Sequence, residues 1–182
     1  MTTWTIAGSL EVHPATTRRD LLAEPVVAAL SALEVDADRL GVVEIDPDLA
    51  DTAEFCKAYG SPLTASANCV VVAGKRSGTE RFAACLVLAT TRADVNGVVR
   101  RRLDVRKASF APMDTAVKLT GMAYGGITPI GLPEGWPLFL APEVAGAAEL
   151  VIGSGLRMSK LLVPGDVLAK LPGAEVVEDL AR

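Results

Sequence analysis

The chain has 182 residues, of which 50% are hydrophobic and 22% are charged, and its formal net charge is −4. This length suits one compact domain, and the negative charge argues against a protein that binds by neutralising many phosphates. Aromatic residues make up only 4% of the chain, which excludes a surface that stacks a run of bases but leaves room for contact with one nucleic-acid end.

In the first half of the chain, hydrophobic periodicity and turn residues predict three helices and three strands. The predicted elements are a helix at Arg18–Leu33, a strand at Val42–Ile45, a helix at Leu49–Tyr59, strands at Cys69–Ala73 and Phe82–Ala89, and a helix at Val95–Leu103. Pro25 fits only the first turns of the first helix. The two aliphatic runs flank Gly74–Gly78, so we predict that they pair as a β-hairpin.

The second half is predicted to hold further short strands and helices. These are a strand at Ala108–Phe110, a helix at Pro112–Leu119, strands at Leu138–Leu140, Leu150–Ile152 and Ser159–Val163, and a last helix from Pro164 through Lys170. Strands and helices mix without a steady β-α-β alternation, which predicts an α+β fold. Neither an internal repeat nor a linker divides the sequence, so residues 1–182 are interpreted as one domain.

The segment from Gly121 to Pro137 is dense in Gly and Pro, which predicts a shaped loop. Within it, Gly125 and Gly126 lack Cβ atoms, so main-chain N–H groups can approach a ligand there. Such donors suit an oxygen that gains negative charge in a reaction. The residues themselves leave a second interpretation open, in which the loop is a tight structural crossing that holds no ligand.

Cysteine and histidine are too few for the usual metal or triad chemistry. Cys56, Cys69 and Cys85 form no C-x-x-C pair, and the last two lie in aliphatic runs, which favours buried thiols. His13 is the only histidine, so we expect no zinc site and no Ser-His-Asp triad.

The main basic cluster consists of Arg100, Arg101, Arg102, Arg106 and Lys107. On a helix and the turn after it, such a cluster indicates either a solvated face or a patch that contacts phosphate. The apolar runs are too short to cross a bilayer, and the N-terminus has no basic leader before an apolar stretch. We therefore expect no membrane association and a cytoplasmic location.

At the glycine-rich loop the sequence resembles a known family. Gly125–Gly131 is similar to the Gly-Gly-x-Ser/Thr-Pro-x-Gly segment of the YbaK family, whose editing domains also occur in or beside prolyl-tRNA synthetases. Ala116–Gly121 resembles the short helix before that loop, and Gly153–Gly155 with Ser159–Leu162 resembles the turn and closing strand after it. The likeness runs from about Asp48 to the C-terminus and is weaker over residues 1–47, a helix-strand portion.

This resemblance implies a curved, barrel-like mixed sheet flanked by helices. It also implies hydrolysis of the ester of a mischarged tRNA that carries a small amino acid, with water as the nucleophile and no metal or organic cofactor. The Gly125 main chain would hold the scissile carbonyl, and Pro129 would close the Gly-x-x-x-Pro pattern. The resemblance implies that Asn68 is catalytic together with Gly125. The substrate-binding residues that it implies, besides Pro129, are Gly126, Ile127, Thr128, Gly131, Ser154 and Lys160.

Two positions depart from the family pattern. Family members usually carry a lysine where this chain has Asn68, and Leu140-Ala141-Pro142 stands where an acid is often found. An amide donates a hydrogen bond but brings no positive charge. A non-catalytic module of the same fold that binds an aminoacyl or nucleotide-like ligand therefore stays open beside the deacylase, as does an interaction protein with a purely structural loop.

The implied partner is the acceptor end of a tRNA with its attached amino acid. An aminoacyl-tRNA synthetase is a candidate partner, and homodimerisation is left open.

Overall fold

The structure is a computed structural model that describes residues 3–182. Short helices lie between the strands of two β-sheets, so the predicted α+β class is confirmed. The strands are β1 His13–Pro14, β2 Gly41–Glu44, β3 Ala67–Arg76, β4 Thr79–Leu88, β5 Ala108–Phe110, β6 Leu138–Leu140, β7 Leu150–Gly153, β8 Ser159–Val163 and β9 Ala174–Val176. The helices are α1 Glu24–Ala32, α2 Thr52–Tyr59, α3 Arg100–Arg102, α4 Met113–Thr120, α5 Pro142–Ala145 and α6 Gly165–Leu168.

The described strands form two open sheets rather than one closed barrel. One is antiparallel, in the order β1-β2-β8-β7, and the other is mixed, in the order β5-β3-β4-β6-β9. A single parallel bridge between Ser66 and Val151 links the start of β3 to β7. Because the ladder does not continue beyond that bridge, the two sheets diverge there and leave a space between them.

The predicted hairpin is confirmed and is longer than the aliphatic runs suggested. Strands β3 and β4 pair over ten residues each, so Lys75 and Arg76 belong to the ladder and only Ser77 and Gly78 form the turn. Both turn residues have positive φ, which a two-residue hairpin turn of type I′ requires. The hydrophobic pattern predicted shorter strands because the residues at the end of the hairpin are polar.

The first predicted helix begins later than expected. A separate 3₁₀ turn covers Arg19–Leu21, Leu22 is extended, and α1 starts at Glu24. Pro25 lies in the first turn of α1, because a proline ring further inside would clash with the preceding turn. The second helix is likewise shortened, since Pro47–Leu49 forms its own 3₁₀ turn capped by the Asp46 carboxylate.

The predicted helix over residues 95–103 contains a π-helical turn. Val95–Val99 has π geometry and continues into α3. The Asp94 carboxylate accepts hydrogen bonds from the backbone N–H groups of Gly97 and Val98. A Cβ at Gly97 would lie 2.2 Å from that carboxylate, so glycine is required for this cap.

Aliphatic side chains from both sheets fill the core, as the composition predicts. Cys85 is fully buried, whereas Cys69 and Cys56 are half-buried, so the buried-thiol expectation is confirmed in full for Cys85 only. Burial raises the pKa of Cys85 to about 12 and also raises the pKa of Cys69. Over residues 3–182 the structure contains no helix with the length and apolarity needed to span a bilayer.

Candidate functional site

A cavity with a volume of about 480 Å³ lies where the two sheets diverge. Its walls come from α2, the start of β3, the end of β5, strands β7 and β8, and the glycine-rich loop. Four residues of the sequence-based site set reach it, namely Asn68, Gly125, Ile127 and Lys160. The topology therefore brings together residues that are up to 92 positions apart in sequence.

Gly125 lies in a tight turn at the edge of this cavity. The Gly126 N–H donates to the Ala123 carbonyl at 2.9 Å, and Gly125 has a φ of +83° while Tyr124 does not have positive φ. These are the features of a type II turn with Gly125 at its third position, where glycine is preferred. The turn therefore explains the first glycine of the pair without reference to a ligand.

The second glycine permits a close approach between two loops. The Gly126 carbonyl accepts from the Gly155 N–H at 2.7 Å, and the Ala123 N–H donates to the Gly155 carbonyl at 2.8 Å. A Cβ at Gly126 would lie 2.5 Å from the Leu156 carbonyl oxygen, and one at Gly153 would lie 2.4 Å from the Gly126 oxygen. Glycines on both sides thus hold the turn rigidly against residues 153–156.

This arrangement leaves two backbone donors without a protein partner at the cavity. Among residues 3–182, the N–H groups of Gly125 and Ile127 donate to no other protein group. Both residues line the cavity, and Gly125 is exposed. Unpaired N–H groups held by a rigid turn can stabilise a carbonyl oxygen that gains negative charge.

Asn68 is the second residue of β3 and is exposed at the cavity. Its side-chain oxygen accepts a hydrogen bond from the Thr52 hydroxyl at 2.9 Å. Thr52 is the first residue of α2, so the helix start fixes the orientation of the amide. With the oxygen occupied, the Asn68 NH₂ group is the part of the side chain available as a donor.

Lys160 on β8 is the one buried lysine among the described residues. Its Nζ donates to the Ala50 carbonyl at 2.6 Å and lies 5.6 Å from the centre of the Phe55 ring. Burial, and then the nearby charge of Arg157, lower the pKa of Lys160, while Asp51 opposes this shift. The wall thus presents a positive group without a directly paired carboxylate.

The sequence analysis missed Asp51, which lines the cavity, and Arg157, which lies beside Asp51. The Arg157 guanidinium donates to the Pro47 carbonyl at 3.1 Å and to the Tyr124 carbonyl at 3.4 Å, and it lies 3.7 Å from the Asp51 carboxylate. A Cβ on Gly125 would lie 2.3 Å from this guanidinium. No motif marked Arg157, because its partners come from two distant segments.

The other sequence-based site residues lie behind the loop. Gly126 contacts the 153–156 segment, and the Ser154 hydroxyl is fully buried, 2.7 Å from the Ser159 hydroxyl. Thr128 and Pro129 are buried beneath the turn, and a Cβ on Gly131 would lie 2.5 Å from the Pro25 oxygen. These residues support the shape of the loop and are absent from the cavity walls.

Two exposed aromatic side chains stand at the rim. Phe110 at the end of β5 is 61% exposed and Tyr124 in the glycine turn is 56% exposed, and both line the cavity. An exposed ring at a cavity mouth offers a flat surface for a planar ligand group. Phe110 lies in no motif and Tyr124 lies in the glycine-rich loop, so only the tertiary structure reveals that the two rings flank the same opening.

Comparison with known proteins shows that the residues lining this cavity belong to a known type of domain. A family model for the aminoacyl-tRNA editing domain matches residues 46–171, which include every wall of the cavity. Residues 1–45, including β1, α1 and β2, lie outside the match.

Three solved structures share the fold. A scaffold protein from a study of computational epitope backbone grafting has a TM-score of 0.71 and 24% identity, and the match covers 86% of this chain and 95% of that one. A protein described as a "putative trans-editing enzyme for prolyl tRNA synthetase" has a TM-score of 0.68 and 23% identity, with coverages of 86% and 97%. The hypothetical protein APE2540 has a TM-score of 0.74 and 18% identity, with coverages of 87% and 100%.

Proposed function

The chain belongs to the aminoacyl-tRNA editing domain family, and on that premise we propose that it hydrolyses the ester of a mischarged tRNA carrying a small amino acid. The observation that carries this proposal is the position of the unpaired Gly125 N–H and the Asn68 amide on the walls of one cavity. Both are hydrogen-bond donors, and neither carries a charge. A scissile carbonyl bound between them would be polarised toward attack by water.

In the proposed reaction, a water oxygen forms a bond to the ester carbonyl carbon, and the carbonyl oxygen becomes an oxyanion. The N–H groups of Gly125 and Ile127 stabilise that oxyanion, and each donor of this type contributes roughly 2.7–4 kcal/mol to the barrier reduction. The carbon–oxygen bond to the ribose then breaks. The attacking water loses one proton and the ribose oxygen gains one, so the products are a free amino acid and tRNA.

The residues that line the cavity suit a small aminoacyl group. Ala67, Val71 and Ile152 are buried apolar residues on the lining, and Lys160 adds one positive group in the same wall. Asp51 at the rim offers a negative charge to the α-ammonium group of the ester. Phe110 and Tyr124 offer flat surfaces to the terminal base. Size exclusion by the apolar walls would then set specificity.

A non-catalytic binding module is the second candidate, because the donor at position 68 is a neutral amide. Its bond to the Thr52 hydroxyl makes it a well-oriented recognition group whether or not hydrolysis follows. The two candidates differ in turnover, since a binding module would protect the ester or leave its lifetime unchanged.

The direct test is hydrolysis of tRNAs mischarged with Ala, Ser, Cys or Pro by the wild type and by Gly125→Val. The matched control is Gly135→Val, because Gly135 lies in the same loop with a φ of +81° and has open space around its Cβ position. We expect turnover of at least one ester by the wild type and the control, and loss of at least 100-fold in Gly125→Val. Equal turnover by both variants would contradict the proposed role of the turn, and protection of an ester without turnover would favour the binding module.

A further inference from the structure

Charge is distributed unevenly along this acidic chain. Residues 75–107 contain nine of the 18 Lys and Arg residues but only three of the 22 Asp and Glu residues, which gives this segment a net charge of +6. The rest of the chain has a net charge of −10. Residues 75–107 are therefore a basic segment within a chain whose net charge is −4. The tertiary structure determines which of these cations lie close together.

The sheet register brings two parts of this segment together. Strand β5 pairs with the end of β3, and Ala108 lies opposite Gly74, so Lys75 and Lys107 are the residues that adjoin this pair in the two segments. A Cβ on Gly74 would lie 2.7 Å from the Lys107 carbonyl oxygen, which shows how closely the two segments pack. The Arg81 guanidinium also donates to the backbone oxygens of Leu103 and Asp104 at 3.1 Å, which ties the hairpin to the segment before β5.

The carboxylates nearby pair with only part of this positive charge. Asp104 accepts from Arg81 at 3.0 Å and lies 3.7 Å from Arg76, Glu80 lies 3.9 Å from Lys75, and Glu175 pairs with Arg102. Over residues 3–182, four exposed cations of this segment form no ion pair with a carboxylate, namely Arg92, Arg101, Arg106 and Lys107. The last three lie on α3 and on the turn that leads into β5.

We propose that this basic face, defined as Arg101, Arg106 and Lys107, binds backbone phosphates of the RNA whose 3′ end enters the cavity. The proposal rests on the proposed function for the identity of that RNA. Guanidinium and ammonium groups without carboxylate partners are the groups that bind phosphates and release counterions. A face made only for solubility would not require the charge segregation, because the acidic remainder of the chain already supplies a large net charge.

The distance to the cavity fits this occupant. Strand β5 begins next to Lys107 and ends at Phe110 on the rim, and three residues of a strand span about 10 Å. With the spacing of about 3.4 Å along one DNA strand as a guide, a strand leaving the cavity reaches the basic face after roughly three nucleotides. Lys107 and Phe110 project from opposite faces of this segment, so the RNA would pass over β5, which is the edge strand of its sheet. The terminal nucleotide would contact the aromatic rim, and the preceding phosphates would contact the basic face.

The test is binding of an uncharged stem-loop RNA with a single-stranded CCA end, measured by fluorescence anisotropy at several salt concentrations. The variant is Arg106→Glu with Lys107→Glu. The matched control is Arg19→Glu with Lys170→Glu, which makes the same change in net charge at exposed residues outside the basic face. Because this RNA carries no ester, the result does not depend on hydrolysis.

We expect the basic-face variant to bind at least tenfold more weakly than the wild type at low salt. Its plot of log affinity against log salt should be shallower by about 1.4–1.8, as expected for the loss of two phosphate contacts. The control should bind within about twofold of the wild type. Hydrolysis of a short aminoacyl-CCA ester should be retained by the variant, which separates loss of RNA binding from damage to the cavity.

Equal RNA affinity of the wild type and the basic-face variant would overturn the proposal. Absence of RNA binding by the wild type would also overturn it, as would binding to vesicles of anionic lipid in place of RNA. If the wild type binds the RNA through this face but hydrolyses no ester, the proposal that the basic face binds RNA is supported and the proposed hydrolytic function is contradicted.

Discussion

The Nζ of Lys160 donates a hydrogen bond to the Ala50 carbonyl at 2.6 Å, inside the wall of the candidate cavity. This bond joins strand β8 to the segment that leads into α2. No carboxylate among the described residues forms an ion pair with the ammonium group, which is unusual for a lysine that is only 7% exposed. The cavity therefore has a positive wall whose charge is held by a carbonyl and an aromatic ring.

We predict a dependence of stability on pH that follows from this burial. The folded-state pKa of Lys160 is lowered, so above that pKa the unfolded chain binds more protons than the folded one. The free energy of unfolding should consequently gain from Lys160 as the pH rises toward the usual lysine pKa of about 10.4. Urea unfolding at pH 7 and pH 9.5 should show this gain in the wild type relative to Lys160→Met.

The comparison with Lys160→Met is needed because two thiols act in the opposite direction. Burial raises the pKa values of Cys69 and Cys85, so the unfolded chain loses those protons first and stability falls above about pH 8.5. Both proteins contain the thiols, and their difference isolates the lysine. A difference that does not change with pH would contradict the prediction.

Asn68 should contribute to turnover through its amide N–H. Asn68→Ala is expected to lower kcat/KM on the ester by about 10- to 150-fold, which corresponds to a hydrogen bond to a charged group of about 1.5–3 kcal/mol. Asn68→Lys should restore or exceed wild-type kcat, since an ammonium group adds charge to the donor. The control is Asn96→Ala, an exposed asparagine outside the cavity, which should leave kcat/KM unchanged.

Phe110 should contribute to binding of the terminal base. Stacking of one base on an aromatic side chain contributes about 1–3 kcal/mol, so Phe110→Ala should raise KM for the aminoacyl-tRNA by about 5- to 150-fold with little change in kcat. Phe110→Trp should retain binding. Val176→Ala changes another exposed apolar residue, on β9, and should have no effect on KM. A rise in KM for both alanine variants would argue against stacking.

Ser154 should stabilise the fold that holds the glycine turn. Its hydroxyl oxygen lies 2.7 Å from the Ser159 hydroxyl and accepts from the Leu156 N–H at 3.2 Å in a fully buried position. Ser154→Ala removes these bonds and should lower the free energy of unfolding by about 1–3 kcal/mol. Ser31→Ala removes a hydroxyl from an exposed helix position and should change stability by less than about 0.5 kcal/mol in chemical denaturation.

Sequence patterns located the elements best where a strand is short, apolar and bounded by turn residues. The strands at Ala108–Phe110, Leu138–Leu140 and Ser159–Val163 have the bounds that the sequence predicts. The two-residue strand β1 and the short strand β9 were missed because neither contains an apolar run. They exist because neighbouring strands offer them hydrogen-bond partners, which are distant in sequence.

For the site, the sequence alone determined that the Gly125–Gly131 segment forms a shaped loop, because glycine at positive φ and proline restrict the backbone locally. It also determined the family, through motifs that depend on such local constraints. Only the tertiary structure decided which polar groups share the cavity with that loop. Thr52 and Phe110 line it from two separate elements, and Arg157 contacts the lining residues Asp51 and Tyr124 from a third segment. The register of two sheets that diverge at Ser66 and Val151 sets their distances. Those distances depend on long-range strand pairing and packing, which no local pattern in the sequence encodes.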